Sequence, residues 1–345
     1  MPARWNRRHL LKGGAALAAA LPATVWSTTS PRRPIARVII DNDFAGDPDG
    51  LYQLAHHLLC GSVDIPLIVA SHLPNGFGPP TSAADGVGRV RDLLAVMGMG
   101  DRHRPIAGSE RSIASRTGWK PGPATAAIVR EAMREDRTEP LFYAAGAGLT
   151  ELALAWLAEP RIGKRVRLVW IGGNEHDGLA YPPPGRAEPE FNFSIDPLAA
   201  QILFNESDIE IWQVPRGAYR RMIYSMAEVE ALAAAGPLGR HLKDRLDGMA
   251  AMLAKIPGMK PLPDADVYVM GDSPLVTLTA LMPPFQPDPS SSTYVRKPTP
   301  MLMADGSYRA RPDGRPMRVY SAIDASLTFR DMERRFARLA AQPIQ

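Results

Sequence analysis

One cysteine in 345 residues has no partner within the chain, so an internal disulfide framework and any cysteine-based zinc site are excluded. That residue, Cys60, follows Leu58 and Leu59 and reads as core filling. Outside the N-terminal leader, no segment has about 18 uninterrupted apolar residues, so none reads as a bilayer span. Basic stripes interleaved with aromatics are missing, which argues against nucleic acid as a partner. Charge of one sign is scarce as well. The formal net charge is +4, and part of that excess lies in the leader and in Arg32 and Arg33. No Gly-x-x-x-x-Gly-Lys phosphate loop occurs. What remains, 45% hydrophobic and 22% charged residues, suits a globular enzyme with one large α/β domain or two smaller ones.

The leader has its own signature. Asn6-Arg7-Arg8-His9-Leu10-Leu11-Lys12, followed by the small-residue apolar stretch from Gly13 to Leu21, reads as a twin-arginine export signal too short to span a membrane. The expected signal covers about residues 1–31, with processing between Ala20 and Pro31. The expected product is periplasmic or extracellular and free of the membrane.

From Arg37 onward, short apolar runs alternate with helical periodicity. Strands are expected at Arg37 to Ile40, Ile65 to Ala70, Leu141 to Ala145, Val166 to Ile171, Ile209 to Val214 and Arg318 to Ile323. Helices are expected after the first of these (Leu51, Leu54, Ala55, Leu58 and Leu59 at helical spacing) and around 86–96, 149–157 and 197–204. The remainder is more helical: 226–235, 239–255, 274–281 and 329–339. The Pro- and Ser-rich segment 283–300 reads as a surface excursion. Strand-helix alternation of this kind gives an α/β fold, a mostly parallel central sheet flanked by helices, with a more helical C-terminal part. No internal repeat and no clear linker is present, so residues 32–345 are expected to form a single domain.

The densest chemistry lies in Asp41-Asn42-Asp43-Phe44-Ala45-Gly46-Asp47-Pro48-Asp49-Gly50. Here an apolar strand ends and an amphipathic helix begins, and sites in such folds form beyond the carboxyl ends of the strands. Four carboxylates this close repel one another unless a cation or a hydrogen-bond network holds them. Hard cations such as Ca2+ take oxygen ligands of this type. Simpler readings exist for each residue. Asp41 could bond the turn's own amides, Asp47 before Pro48 could be only a helix cap, and Asp272 before Ser273-Pro274 could be another. An EF-hand is excluded, because Tyr52 stands where the bidentate Glu is needed.

Five segments in order resemble the nucleoside hydrolase family, the inosine-uridine-preferring N-ribohydrolases. They are the acidic turn, Ala145-Gly146-Ala147-Gly148-Leu149-Thr150-Glu151, Val169-Trp170-Ile171-Gly172-Gly173-Asn174, Glu190-Phe191-Asn192-Phe193-Ser194-Ile195-Asp196-Pro197, and Met270-Gly271-Asp272-Ser273-Pro274. The resemblance implies the nucleoside hydrolase fold and a calcium-dependent hydrolase that cleaves an N-glycosidic bond by attack of a metal-bound water. It implies Ca2+ bound by Asp43, by a carboxylate of the Asp47/Asp49 pair, by the Gly146 carbonyl and by Asp272, with Asp43 also the general base. Asn75, Glu190, Asn192 and Asp47 would meet a ribosyl substrate, and a homo-oligomer is common in the family. His176 could protonate a leaving group or stand as a solvated loop residue. Arg216 and Tyr219 could line the pocket, and His56 and His57 read as structural.

Departures from the family pattern sit in the same segments. Pro48 separates Asp47 from Asp49, Gly50 follows, Gly271 stands at the family's histidine, and Glu151 replaces an asparagine. These leave open a noncatalytic ligand-binding protein on the same fold, or a hydrolase of a different glycoside.

Overall fold

Strand β1 (Ala36–Asn42) is buried at every residue, because it lies at the centre of the sheet with helices on both faces. A computed structural model describes residues 33–184, 189–253, 265–283, 285–286, 288 and 290–341. The expected signal at residues 1–31 lies outside them. Residues from 33 onward cluster as one compact unit.

After β1 come α1 (Asp49–Leu58), β2 (Val63–Ala70), α2 (Ser82–Val96), β3 (Ile106–Ala107), α3 (Pro123–Ala132), β4 (Leu141–Ala145), α4 (Thr150–Ala158) and β5 (Val166–Ile171). Next are α5 (Phe191–Ile195), α6 (Pro197–Asn205), β6 (Glu210–Val214), α7 (Arg216–Tyr219), β7 (Ile223–Ser225), α8 (Met226–Ala235) and α9 (Pro237–Leu253). The chain closes with β8 (Val267–Val269), α10 (Pro274–Thr279), β9 (Thr293–Pro298), β10 (Met301–Leu302), β11 (Tyr308–Arg309), β12 (Pro316–Ala322) and α11 (Ala325–Ala340).

The main sheet has eight strands in the order β3-β2-β1-β4-β5-β6-β12-β9. Every pairing in it is parallel except β12 with β9. The chain therefore runs outward from β1 to β2 and β3, then returns to lay β4 on the other side of β1. That reversal opens a crevice beyond the carboxyl ends of β1 and β4, the place where open α/β sheets bind ligands.

Alternation along the strands sorts side chains between two cores. Val38 and Ile40 of β1, Phe142 and Ala144 of β4, and Val169 and Ile171 of β5 join one apolar cluster with α1, α2, α8, α9 and α11. Ile39, Tyr143, Leu168 and Trp170 join the other with α3, α4 and α6. The same period turns Asp41 toward the second face and Asn42 toward α1. Burying each large apolar side chain contributes about 1.5–3 kcal/mol. Fully buried residues such as Trp170 and Leu54 therefore hold the two loops at the crevice firmly.

All six expected strands are present. The segment 283–300 departs from its expected reading, since its second half is β9, an antiparallel edge strand on β12. Its residues are mostly exposed, so no alternating apolar signal marks it. Strand β3 is only two residues long, and helix α3 had no assigned counterpart in the sequence.

Candidate active site

Two loops and one distant helix start meet in the crevice. The loop 43–48 joins β1 to α1, and the Asp43 carbonyl accepts the Gly46 N–H at 2.6 Å, closing a tight turn. The loop 146–149 joins β4 to α4, tied to β1 by Gly146 N–H donating to the Asp41 carbonyl at 2.9 Å. The third contribution is Asp272, just ahead of α10. It is drawn in by its backbone N–H donating to Asp49 Oδ2 at 3.0 Å and by Asn42 Nδ2 donating to Asp272 Oδ2 at 2.8 Å.

Asp43, Asp49 and Asp272 carry carboxyls held far above their ordinary range. Burial is the largest cause for each. For Asp43 and Asp49 the next causes are the Asp272 and then the Asp47 carboxylates. Asp272 rises to about 8 despite the Asn42 hydrogen bond, which works in the opposite direction. Asp49 and Asp272 are buried, whereas Asp43 is half-buried. Its own backbone N–H favours the ionised Asp43 carboxylate only slightly against these causes.

Asp47 is placed differently. It is exposed and accepts the Asp49 N–H at 3.2 Å, satisfying an amide at the start of α1 as a capping residue does. Asp41 is fully buried, and its carboxylate accepts from the Ser71 and Tyr143 hydroxyls rather than from turn amides. Burial lifts it to about 7. Asp272 does not cap α10, because its side chain is turned to Asn42.

Glu190 is wholly buried and has four protein donors. Gly173 N–H and Phe193 N–H donate to Oε2 at 2.7 and 2.9 Å, while Asn192 N–H and the Tyr219 hydroxyl donate to Oε1 at 3.0 and 2.7 Å. Two of those donors are orphan amides of α5, so Glu190 is the cap of that helix. Asn192 donates to the carbonyls of Gly146 (3.1 Å) and Ile171 (2.8 Å), which leaves its Oδ1 to accept. Asn75 is exposed in a turn where Phe77 N–H donates to the Pro74 carbonyl at 3.0 Å and Gly76 takes φ +82°, an ordinary turn role. Its loop touches the Glu190 segment through the Phe77 and Phe191 rings, 5.0 Å apart.

His176 departs from both of its expected roles. It is buried, stacked 4.1 Å from the Tyr308 ring, and it bonds Gln213 Oε1 at 2.8 Å and Lys297 Nζ at 3.1 Å. Lys297 can only donate, so Nδ1 must accept and Nε2 must carry the proton. Burial lowers the imidazole to about 4. It is neither solvated nor a ready acid. It lines a cavity of about 730 Å³ with Asn174, Arg216 and Lys297, and that lining does not include Asp43, Asp47, Asp49 or Asp272. Arg216 is paired with Glu175 at 2.8 Å.

Other residues settle as structural. Glu151 is buried and accepts from Ser109 N–H (2.7 Å) and the Thr125 hydroxyl (3.0 Å). Gly271 faces Tyr219 and Asp49, since a Cβ there would lie 3.2 Å from the ring and 3.3 Å from Asp49 Oδ2. Among the described residues, the one group of three His, Cys, Asp or Glu side chains with ligand atoms all within 4.8 Å is His56, Cys60 and Asp331. Asp331 Oδ2 there already meets His56 Nε2 at 2.8 Å and Arg335 Nε at 2.5 Å. That arrangement is a hydrogen-bonded tie between α1 and α11, with burial holding the His56 imidazole below its ordinary range.

A family model described as inosine-uridine preferring nucleoside hydrolase matches residues 48–296. The chain belongs to the inosine-uridine preferring nucleoside hydrolase family. An inosine-uridine preferring nucleoside hydrolase of Crithidia fasciculata is 48% identical over 68 residues, 19% of either chain. One of Leishmania major is 51% identical over 61 residues, 17% of this chain and 18% of its own. The aligned region thus spans under a fifth of these curated relatives. A plant nucleoside hydrolase structure superposes with TM-score 0.65 at 18% identity, covering 88% of this chain and 99% of the other. A purine-preferring ribonucleoside hydrolase from Gardnerella vaginalis gives 0.62 at 16% with the same coverages. The fold is that of the nucleoside hydrolases, and the family match includes Asp49, Gly146, Glu190, Asn192 and Asp272.

The residues that sequence reasoning passed over are Asn42, Gln53, Ser71, Tyr143 and Thr279. Gln53 and His57 lie four apart on the buried side of α1. Polar residues at that spacing on a buried helix face are the signal that could have marked them.

Proposed function

We propose that this protein hydrolyses the N-glycosidic bond of a nucleoside or related ribosyl compound with a divalent cation, Ca2+ by donor type, in the crevice beyond β1 and β4. One observation carries the reading. Carboxyls of Asp43, Asp49 and Asp272, from segments more than two hundred residues apart, share a buried site where each raises the charge cost of another. Such a set is stable with a cation and costly without one.

The chemistry of the donors fits. They are carboxylate oxygens and the Gly146 carbonyl, as hard cations require, and beside them Asn42 Oδ1 is buried without a hydrogen-bond partner among the described residues. Asp43, Asp49 and Asp272 would hold the ion, with Asp47 shaping the turn from the rim. A bound cation would supply positive charge that eases proton loss from an adjacent water. Asp43, to which no other residue donates among the described residues, would accept that proton, and Asn192 Oδ1 would take a sugar hydroxyl. Nearby carboxylates would stabilise the oxocarbenium-like state through which such bonds break. Export, read from residues 1–31, belongs to the same proposal.

The four donors already on Glu190 favour a second reading, a glycoside whose sugar makes fewer hydroxyl contacts. Reducing-sugar release from inosine, uridine and a nitrophenyl deoxyriboside, with and without chelator, tests both. Chelator-sensitive release from a nucleoside supports the first reading, release from the deoxyriboside alone supports the second, and no release from any of the three refutes both.

A further inference from the structure

We propose that Asn42, Gln53, His57 and Thr279 form a buried positioning relay that fixes the Asp272 carboxylate in the acidic site. The inference rests on the cation reading above and adds to it Gln53, His57 and Thr279, with a second role for Asn42. Asn42 is fully buried in a slot between two glycines. A Cβ on Gly50 would lie 2.7 Å from Asn42 Nδ2, and one on Gly146 would lie 2.8 Å from its Cγ. The absence of those two side chains is what makes room for the amide.

The hydrogen bonds run in one direction. Asn42 Nδ2 donates to Asp272 Oδ2 at 2.8 Å and, more weakly, to Gln53 Oε1 at 3.4 Å. Gln53 then meets His57 Nδ1 through Nε2. An amide nitrogen only donates, so His57 Nδ1 is the bare nitrogen and Nε2 carries the proton. That proton goes to Thr279 Oγ1 at 2.7 Å, and the Thr279 hydroxyl donates to the Leu275 carbonyl at 2.6 Å. In this arrangement each donor has an acceptor. Because the run ends on α10, the helix that starts just after Asp272, it closes a circuit from β1 through α1 and back to the carboxylate.

The consequence is directional. Oδ2 of Asp272 is tied, whereas Oδ1 is turned to Gly146, where an added Cβ would come within 2.8 Å of it. Apolar side chains could fill the same space without desolvating four polar groups, as cores commonly do. A polar chain whose donors are all placed instead favours one rotamer. Partners that hold a ligating carboxylate in this way typically change cation affinity by 10–100-fold when removed.

The test uses the full chain, stripped of divalent ions and titrated with Ca2+ by calorimetry, beside a thermal melt without Ca2+. His57→Phe can neither accept from Gln53 nor donate to Thr279, and its expected affinity is about 10-fold weaker or worse. His57→Gln keeps one acceptor and one donor and should recover most of the loss. A merely structural role would lower the melting midpoint of His57→Phe and leave Ca2+ affinity unmoved; that result overturns the proposal, as does a folded His57→Gln that binds no better than His57→Phe. Should His57→Phe fail to fold, Thr279→Val removes the terminal hydroxyl, both its acceptance from His57 and its donation to Leu275, and should weaken Ca2+ binding in the same direction, with unchanged affinity overturning the relay. A wild-type chain that binds no Ca2+ refutes the underlying cation reading, and the relay with it, before any variant is compared.

Discussion

Removing divalent ions with a chelator and raising the pH from about 6.5 to about 8 should destabilise this protein. The acidic crevice supplies the reason. In the unfolded chain, aspartates are ionised throughout that window. In the folded chain, Asp272 keeps its proton until about pH 8, and Asp43 and Asp49 are also held above their ordinary range by burial and by Asp272. The folded state therefore binds more protons than the unfolded one. Stability that is fully present at low pH is lost as the pH climbs through the raised values. Each retained proton is worth about 1.4 kcal/mol per pH unit, so about 1.5 units remove about 2 kcal/mol per group. Asp272 alone gives an expected loss of about 2 kcal/mol, and Asp41, Asp43 and Asp49, also raised by burial, add to it in the same direction. The window must begin near 6.5, because His57 and His176 are lowered by burial to about 3 and about 4. Those histidines make stability rise with pH below their unfolded value, the opposite sign. Urea unfolding at three pH values, with chelator and with Ca2+, measures the effect, and Ca2+ should reduce or reverse the loss by competing with the protons. A chelated protein whose unfolding free energy is flat or rises from pH 6.5 to 8 refutes the reasoning, as does an Asp272→Asn variant with the same pH slope as wild type.

Other outcomes follow from single residues. Asp43→Ala should lower nucleoside hydrolysis by about 100-fold or more with an unchanged circular dichroism spectrum; full chelator-sensitive turnover would remove Asp43 from the role of base. Tyr143→Phe leaves one oxygen of buried Asp41 without its hydroxyl donor and should cost about 1–3 kcal/mol in urea unfolding. A change within experimental error would mean that Ser71 alone satisfies the group. Gly146→Ala drives a Cβ against Asn42 and Asp272, so a loss of about 1–3 kcal/mol is expected together with weakened Ca2+ binding in calorimetry. Retained affinity would show that the slot is looser than its geometry indicates.

The six main strands, the helix after the acidic turn and the parallel α/β class were readable because their residues obey local rules. Apolar runs buried on both sides mark central strands, and a 3.6-residue period marks α1. The acidic turn was equally plain, since four carboxylates so near one another must be held by something. Edge elements escaped: β9 is mostly exposed and β3 is two residues long, so neither buries enough to leave a pattern.

The amino-acid sequence by itself determined which carboxylates lie together at the end of β1, because adjacency along the chain imposes that. It could not show that Asp47 turns outward to hold an amide while Asp49 turns in, or that Glu190 is already surrounded by donors. His176 is a further case, since its buried, neutral state comes from Tyr308, Gln213 and Lys297, all remote from it in the chain. Nor could it show that Asn42 reaches Asp272. Those facts depend on the return of β4 beside β1 and on α10 packing against α1. Contacts between segments hundreds of residues apart arise only when the sheet and its two cores have closed, so only the tertiary structure decided them.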